Sequence, residues 1–267
     1  MFHWLTERRR AHLLETPFPD AWRAHLGANV AAYLQLPPEQ QARLRDLTQV
    51  FVAEKHWEGA GGLELTDEMR VTIAGTACLM ILARDHDLFA DVESIVIYPH
   101  AVVARQPQWM TYTSMTPRRD EQPVLGLAQR GGAVVLAWDD VARGARHPHD
   151  GRNLVIHELA HKIDFLDGAA DGTPPLDAAA RRAWAAAFEP AFQRHVARAE
   201  RGERSFLRDY AITNEAEYFA CATEVFFEKP LELREDLPDV YAQLAAFFGI
   251  DPAGPPRGPD VHTHPAP

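Results

Sequence analysis

Asn153-Leu154-Val155-Ile156-His157-Glu158-Leu159-Ala160-His161 runs from a short polar residue through an aliphatic run into His-Glu-x-x-His. On an α-helix, residues four apart are about 40° from eclipsed, so His157 and His161 share one face, one turn from each other. Two imidazoles placed in this way can both reach a single zinc ion at about 2.0–2.1 Å. Glu158 projects about 100° round the helix from His157. It can therefore flank the ion without ligating it and hold the attacking water as general base. Asn153 is a suitable N-cap, and Leu154 to Ile156 imply burial. Chance alone would put about 0.04 such motifs in a chain of this composition. The competing reading is a pair of histidines on a solvated helix face.

A catalytic zinc commonly has three protein ligands and leaves the fourth place for water. No His-x-x-Gly-x-x-His spacing is present, because Lys162, Ile163 and Asp164 follow His161 and the next histidine is His195. The better source is the helical pattern from Tyr210 to Glu224, capped by Asn214. Glu217 and Glu224, seven apart, share a stripe with Ala220 and Cys221. Carboxylates on so small and apolar a stripe are costly to bury unless a cation compensates them. Glu215 and Glu228 read as an ordinary solvated face. Tyr210 either donates a hydrogen bond to a developing oxyanion or only packs the helix entry. Asp164 is either an acceptor for a ligand's ring N–H or a surface charge.

Outward from this motif, helical periodicity covers Pro19 to Leu34, Glu39 to Lys55, and Val71 to Arg84 behind the candidate cap Thr66. Glu93 to Tyr98 and Gly132 to Trp138 read as strands, with a polar loop at Gln106 to Gln122 and another at Arg143 to Arg152. Helices return at Asn153 to Phe165, Leu176 to Glu200, Asn214 to Phe227 and Leu237 to Phe248. The expectation is a predominantly helical α+β fold: one domain over residues 1–251, its N-terminal helical region included. A disordered Pro-rich tail over 252–267 follows.

The 267 residues carry 27 basic and 38 acidic side chains, a formal charge of −11. Such a balance argues against direct nucleic-acid or anionic-membrane binding. Cys78 and Cys221 are too few and too far apart for a disulfide framework or a cysteine zinc site, and read as small core residues. No apolar run approaches a membrane span, and no apolar segment follows Arg8 to Arg10, so a cytoplasmic protein is expected. Arg8 to Arg10, Arg201 to Arg204 and the loop residues His147 and His149 read as solvated. The tail pair His262 and His264 is left without a role.

Several further segments accompany the zinc motif. They are Glu54 to Gly59 (Glu-Lys-x-Trp-Glu-Gly), Ile95-Val-Ile-Tyr-Pro99, Val134-Val-Leu-Ala-Trp-Asp-Asp-Val141, His157 to Asp164 and Asn214-Glu-Ala-Glu-Tyr-Phe-Ala220. Together they resemble the Mlc titration factor A family of bacterial zinc-dependent peptidases, grouped with the gluzincins. The likeness runs from about Trp22 to Phe248. It implies a zincin-like fold similar to the catalytic domain of anthrax lethal factor, with one Zn²⁺ held by His157, His161 and Glu217. It further implies Glu158 and Tyr210 as catalytic residues and aminopeptidase-like action on short peptides in the cytoplasm. The resemblance also implies binding to the transcriptional repressor Mlc, linked to glucose phosphotransferase control. The alternative is a zinc-containing anti-repressor that acts by protein binding alone. Nothing in the resemblance extends to the tail.

Overall fold

The computed structural model describes residues 3–101, 126–128 and 132–254. The loop expected at 106–122, most of the Pro-rich tail and the His262/His264 pair lie outside these residues. The chain starts with α1 (His3–Leu14), α2 (Asp20–Asn29), α3 (Ala31–Gln35) and α4 (Pro38–Glu54), then β1 (His56–Gly59) and α5 (Asp67–Leu79). Next come β2 (Ser94–Tyr98), β3 (Gly126–Ala128), β4 (Ala133–Ala137), α6 (Trp138–Arg146) and α7 (Leu154–Asp164). The last third is α8 (Ala178–Glu200), α9 (Glu215–Glu228), α10 (Pro230–Asp236) and α11 (Pro238–Phe248). The fold is α+β and predominantly helical, as expected.

The sheet has the order β1-β2-β4-β3. β1, β2 and β4 are parallel, with Ile95 opposite Val134 and Ile97 opposite Leu136. β3 runs antiparallel to β4 along the edge. Alternate residues of β2 face inward, so Ile95 and Ile97 are buried. Helix α5 shows why a helix can be apolar nearly all round: ten of its thirteen residues are buried, between α2 and α4 on one side and α7 on the other. Such a helix belongs to the core of the fold. Thr66 caps it as expected, accepting a hydrogen bond from the Met69 amide.

Besides α10, which lies in a stretch given no element, and the division of Pro19 to Leu34 into α2 and α3, four elements depart from the sequence reading. β1 continues directly from α4 and is four residues long, too short to show alternation. β3 is shorter still. Helix α6 occupies part of what reads as a loop, because Asp139 and Asp140 begin a helix where they seemed to end a strand. Acidic residues in the first turn suit a helix N-terminus. Helix α1 lacks an apolar stripe and is held by polar contacts: Arg10 pairs with Glu54 at 3.0 Å, and the Gln49 amide donates to the Leu13 and Thr16 carbonyls. Arg10 is therefore not solvated as Arg8 and Arg9 are. The beginning of the tail is also docked, since the Ala253 amide donates to the Tyr241 hydroxyl at 3.0 Å.

Candidate active site

Helix α7 packs against α9, β3, β4 and α5, with Val155, Ile156, Leu159, Ala160 and Ile163 buried. Asn153 begins it, its side chain accepting from the Ile156 amide. Asn214 does the same for α9, accepting from the Glu217 amide at 2.9 Å. These two caps set the starting points of the facing helices, and so the heights at which their polar side chains meet.

The meeting point is a triangle. His157 Nε2 and His161 Nε2 are 3.2 Å apart. Glu217 Oε2 lies 3.2 Å from the first and 3.3 Å from the second. Three donors at about 2.0–2.1 Å from one tetrahedral ion stand about 3.3–3.4 Å from one another, so the triangle has the edge lengths of a metal site. Its donor set, two imidazoles and a carboxylate, suits a divalent ion, and all three residues are at least partly buried. Burial works against the Glu217 charge, but the hydrogen bonds and charges of both histidines hold its carboxyl well below the usual range. Burial also disfavours a charged His157, yet Glu224 and the other groups facing the ring raise it well above an ordinary histidine. Ligation requires neutral imidazoles, so a metal ion bound here would have to displace that proton.

The other side of His157 is as closely specified. Its Nδ1 is 2.8 Å from Glu224 Oε1, and Glu224 is 1% exposed. With Nε2 turned to the triangle, Nδ1–H donates to this carboxylate, which fixes the ring and its tautomer. Glu224 Oε2 accepts from the Asn153 amide at 2.6 Å. Tyr210, on a 3-10 turn at Asp209–Ile212, donates its hydroxyl to Glu217 Oε1 at 3.0 Å. Glu158 is 4% exposed and sits one residue beyond His157, outside the triangle.

The model of the glucose-regulated metallo-peptidase M90 family matches residues 4–249. The chain belongs to this family. It is 32% identical over 258 residues to an uncharacterized protein, slr2042, of Synechocystis, covering 94% of this chain and 90% of that one. It is 31% identical over 241 residues to the Mlc titration factor A of Edwardsiella ictaluri, with 88% of each chain covered. The protein of the same name from Serratia proteamaculans is 30% identical over 222 residues, covering 81% of this chain and 82% of its own.

In this member of the family, Glu228 corrects the sequence reading. It is 7% exposed instead of solvated, and its carboxylate accepts from the Gly151 and Arg152 amides and the Asn153 side chain. Four residues after Glu224, it faces the same segment from the same stripe of α9. Together they tie residues 151–153, just ahead of the His157 helix, to the helix that carries Glu217. Glu215 is exposed, as expected. Arg208 had no signal in the sequence. Its Nη2 donates to Glu224 Oε1 at 2.5 Å and its Nε to Cys221 Sγ at 3.2 Å, so Cys221 lies beside the site and not simply in the core.

Asp164 is wholly buried and does not act as a surface charge. Oδ1 accepts from the Thr173 amide at 2.9 Å, while Oδ2 has no hydrogen-bond partner among the described residues. The neighbouring Gly172, at φ +74°, presses so close to α9 that a Cβ there would lie 2.4 Å from the Glu215 carbonyl oxygen. Burial pushes Asp164 up to about 7 against these amide contacts. A folded-state value above the unfolded one, about 3.9, means that the contribution of this group to stability is greatest in acid. It is then lost as pH rises toward 7, by about 1.4 kcal/mol per unit. In chelator-treated protein, Asp164→Asn should therefore gain roughly 5–10 °C of melting temperature relative to wild type between pH 5 and pH 8. A constant difference across that range would show that Asp164 is ionised throughout.

Proposed function

We propose that this protein is a zinc-dependent, aminopeptidase-like metallopeptidase acting on short peptides in the cytoplasm. The observation that carries the reading is the triangle of His157 Nε2, His161 Nε2 and Glu217 Oε2, at 3.2–3.3 Å on each side. These three residues would hold Zn²⁺, which supplies Lewis acidity to a water molecule and to the scissile carbonyl. Glu158 accepts the water's proton as the oxygen attacks the carbonyl carbon, and returns that proton to the departing amine. Tyr210 turns its hydroxyl from Glu217 to donate to the oxyanion. Burial first, and then the Glu217 charge, raise the phenol above its ordinary value, so it remains a proton donor through neutral pH. Among the described residues, no helix is long and apolar enough to cross a membrane.

A second role is supported by the relatives named Mlc titration factor A. In it the protein also binds the repressor Mlc and so modulates glucose phosphotransferase expression. With a chain of charge −11, an effect on transcription would run through the repressor and not through DNA. The domain reading, residues 1–251 as one unit, belongs to the same proposal, with the docked start of the tail at Ala253 and Gly254 added to that unit.

The test is metal content together with cleavage of a panel of aminoacyl p-nitroanilides. One zinc per chain should remain after dialysis at neutral pH and be released below about pH 5, where the imidazoles hold protons. Zinc retained undiminished in acid would remove the two histidines from the ligand set. A metal-loaded protein that cleaves no member of the panel and no short peptide would leave the binding role alone.

A further inference from the structure

We propose that Arg208 is a positioning residue that holds the Tyr210 ring over the metal-ligand triangle. The inference rests on the role given to Tyr210 above. Tyr210 is 40% exposed, whereas His157 and Glu217 are 6% and 7% exposed. It sits on a single 3-10 turn, so neither deep packing nor a long helix fixes its ring. Two groups lie against that ring. His157 is tilted to it with centroids 6.0 Å apart, and the Arg208 guanidinium carbon is 5.4 Å from its centroid, within cation–π range.

The guanidinium is itself fixed. Its Nη2 donates to Glu224 Oε1 and its Nε to Cys221 Sγ, at 2.5 and 3.2 Å, and both partners are 1% exposed. His157 Nδ1 donates to the same Oε1, so two donors converge on one oxygen. This explains why Nη2 and Nδ1 stand only 3.0 Å apart. The cation is thus fastened to α9 at two points, with its central carbon 5.4 Å from the centroid of the phenol ring. The ring that carries the Tyr210 hydroxyl is thereby referenced to the helix that carries Glu217. A lysine could pair with Glu224 but could not present a flat fork fixed at two points.

The experiment uses Arg208→Ala, Arg208→Lys, Tyr210→Phe and the double variant Arg208→Ala/Tyr210→Phe. With an aminoacyl p-nitroanilide as substrate, Arg208→Ala should lower kcat about 2- to 30-fold, the range expected for a lost cation–π contact, with KM and metal content unchanged. Acting through Tyr210, it should slow the Tyr210→Phe protein no further. Losses that add would overturn the proposal. A second readout needs no turnover: nitration of Tyr210 by tetranitromethane in the metal-free protein, followed on the Tyr210 peptide. The rate should rise in Arg208→Ala and fall again when millimolar guanidinium is added; an unchanged rate overturns the proposal. Arg208→Lys, which keeps the charge beside Glu224, carries both measurements if the alanine variant does not fold. Should Tyr210→Phe turn over like wild type, the oxyanion reading fails. The nitration rates then decide separately whether Arg208 holds the ring.

Discussion

The Glu158→Gln protein should bind metal as wild type does and turn over peptide substrates about a hundred- to ten-thousand-fold more slowly, the usual contribution of a general base. The substitution keeps shape and volume, and Glu158 stands outside the triangle of His157, His161 and Glu217. Metal affinity therefore has no reason to change. What is lost is an oxygen able to take a proton, because an amide does not accept one at neutral pH. Position matters as much as chemistry. Glu158 is 4% exposed, so bulk water cannot readily replace it as proton carrier. The measurement is metal content by elemental analysis beside kcat on the chromogenic panel. Full activity would sink the mechanism, and loss of metal would mean that Glu158 belongs to the ligand set. Mlc capture by the same variant separates the two proposed roles: undiminished binding without hydrolysis shows that the repressor contact does not depend on turnover.

Glu217→Gln should uncouple metal from stability. In wild type, zinc at a thousand times its dissociation constant adds about 4 kcal/mol to the folded state. For a chain of this size that is roughly 8–16 °C in melting temperature. Removing the carboxylate's charge takes away the anionic corner of the triangle. A hundredfold loss of affinity would leave only about 1.4 kcal/mol from the same zinc concentration. The Gln variant should fold, since its side chain can still accept from the Tyr210 hydroxyl as Glu217 Oε1 does. Thermal melts with zinc and with chelator, wild type beside variant, give the comparison. An equal zinc-induced shift in both proteins would remove Glu217 from the ligand set.

The parts of this molecule legible in the sequence are those whose signal is local. The spacing of His157 and His161 fixes their common helix face whatever surrounds them, because helix geometry alone sets it. The caps Thr66, Asn153 and Asn214 act within their own first turn and are found in place. Long apolar periods gave α4, α5, α8, α9 and α11 to within a few residues. What escaped has no local signal. β1 and β3 are too short for alternation, and β3 is defined by pairing with β4. Helix α1 is held by Arg10 and Gln49 reaching to partners far along the chain.

The site divides in the same way. The sequence by itself determined the two histidines, the glutamate beside them and a stripe on the later helix bearing two carboxylates, since each follows from residue type and helical spacing. On spacing alone Glu217 and Glu224 are equivalent. The family resemblance singles out Glu217, and the packing of α9 on α7 gives the physical difference, placing Glu217 on the Nε2 side of His157 and Glu224 on the Nδ1 side. The same packing buries Glu228 beneath residues 151–153 and brings Arg208 from the loop before α9 onto Glu224. An imidazole has two nitrogens facing opposite ways. Which carboxylate meets which nitrogen depends on the distance and rotation between two helices about sixty residues apart in the chain, and these are settled by the core between them, not by either segment alone.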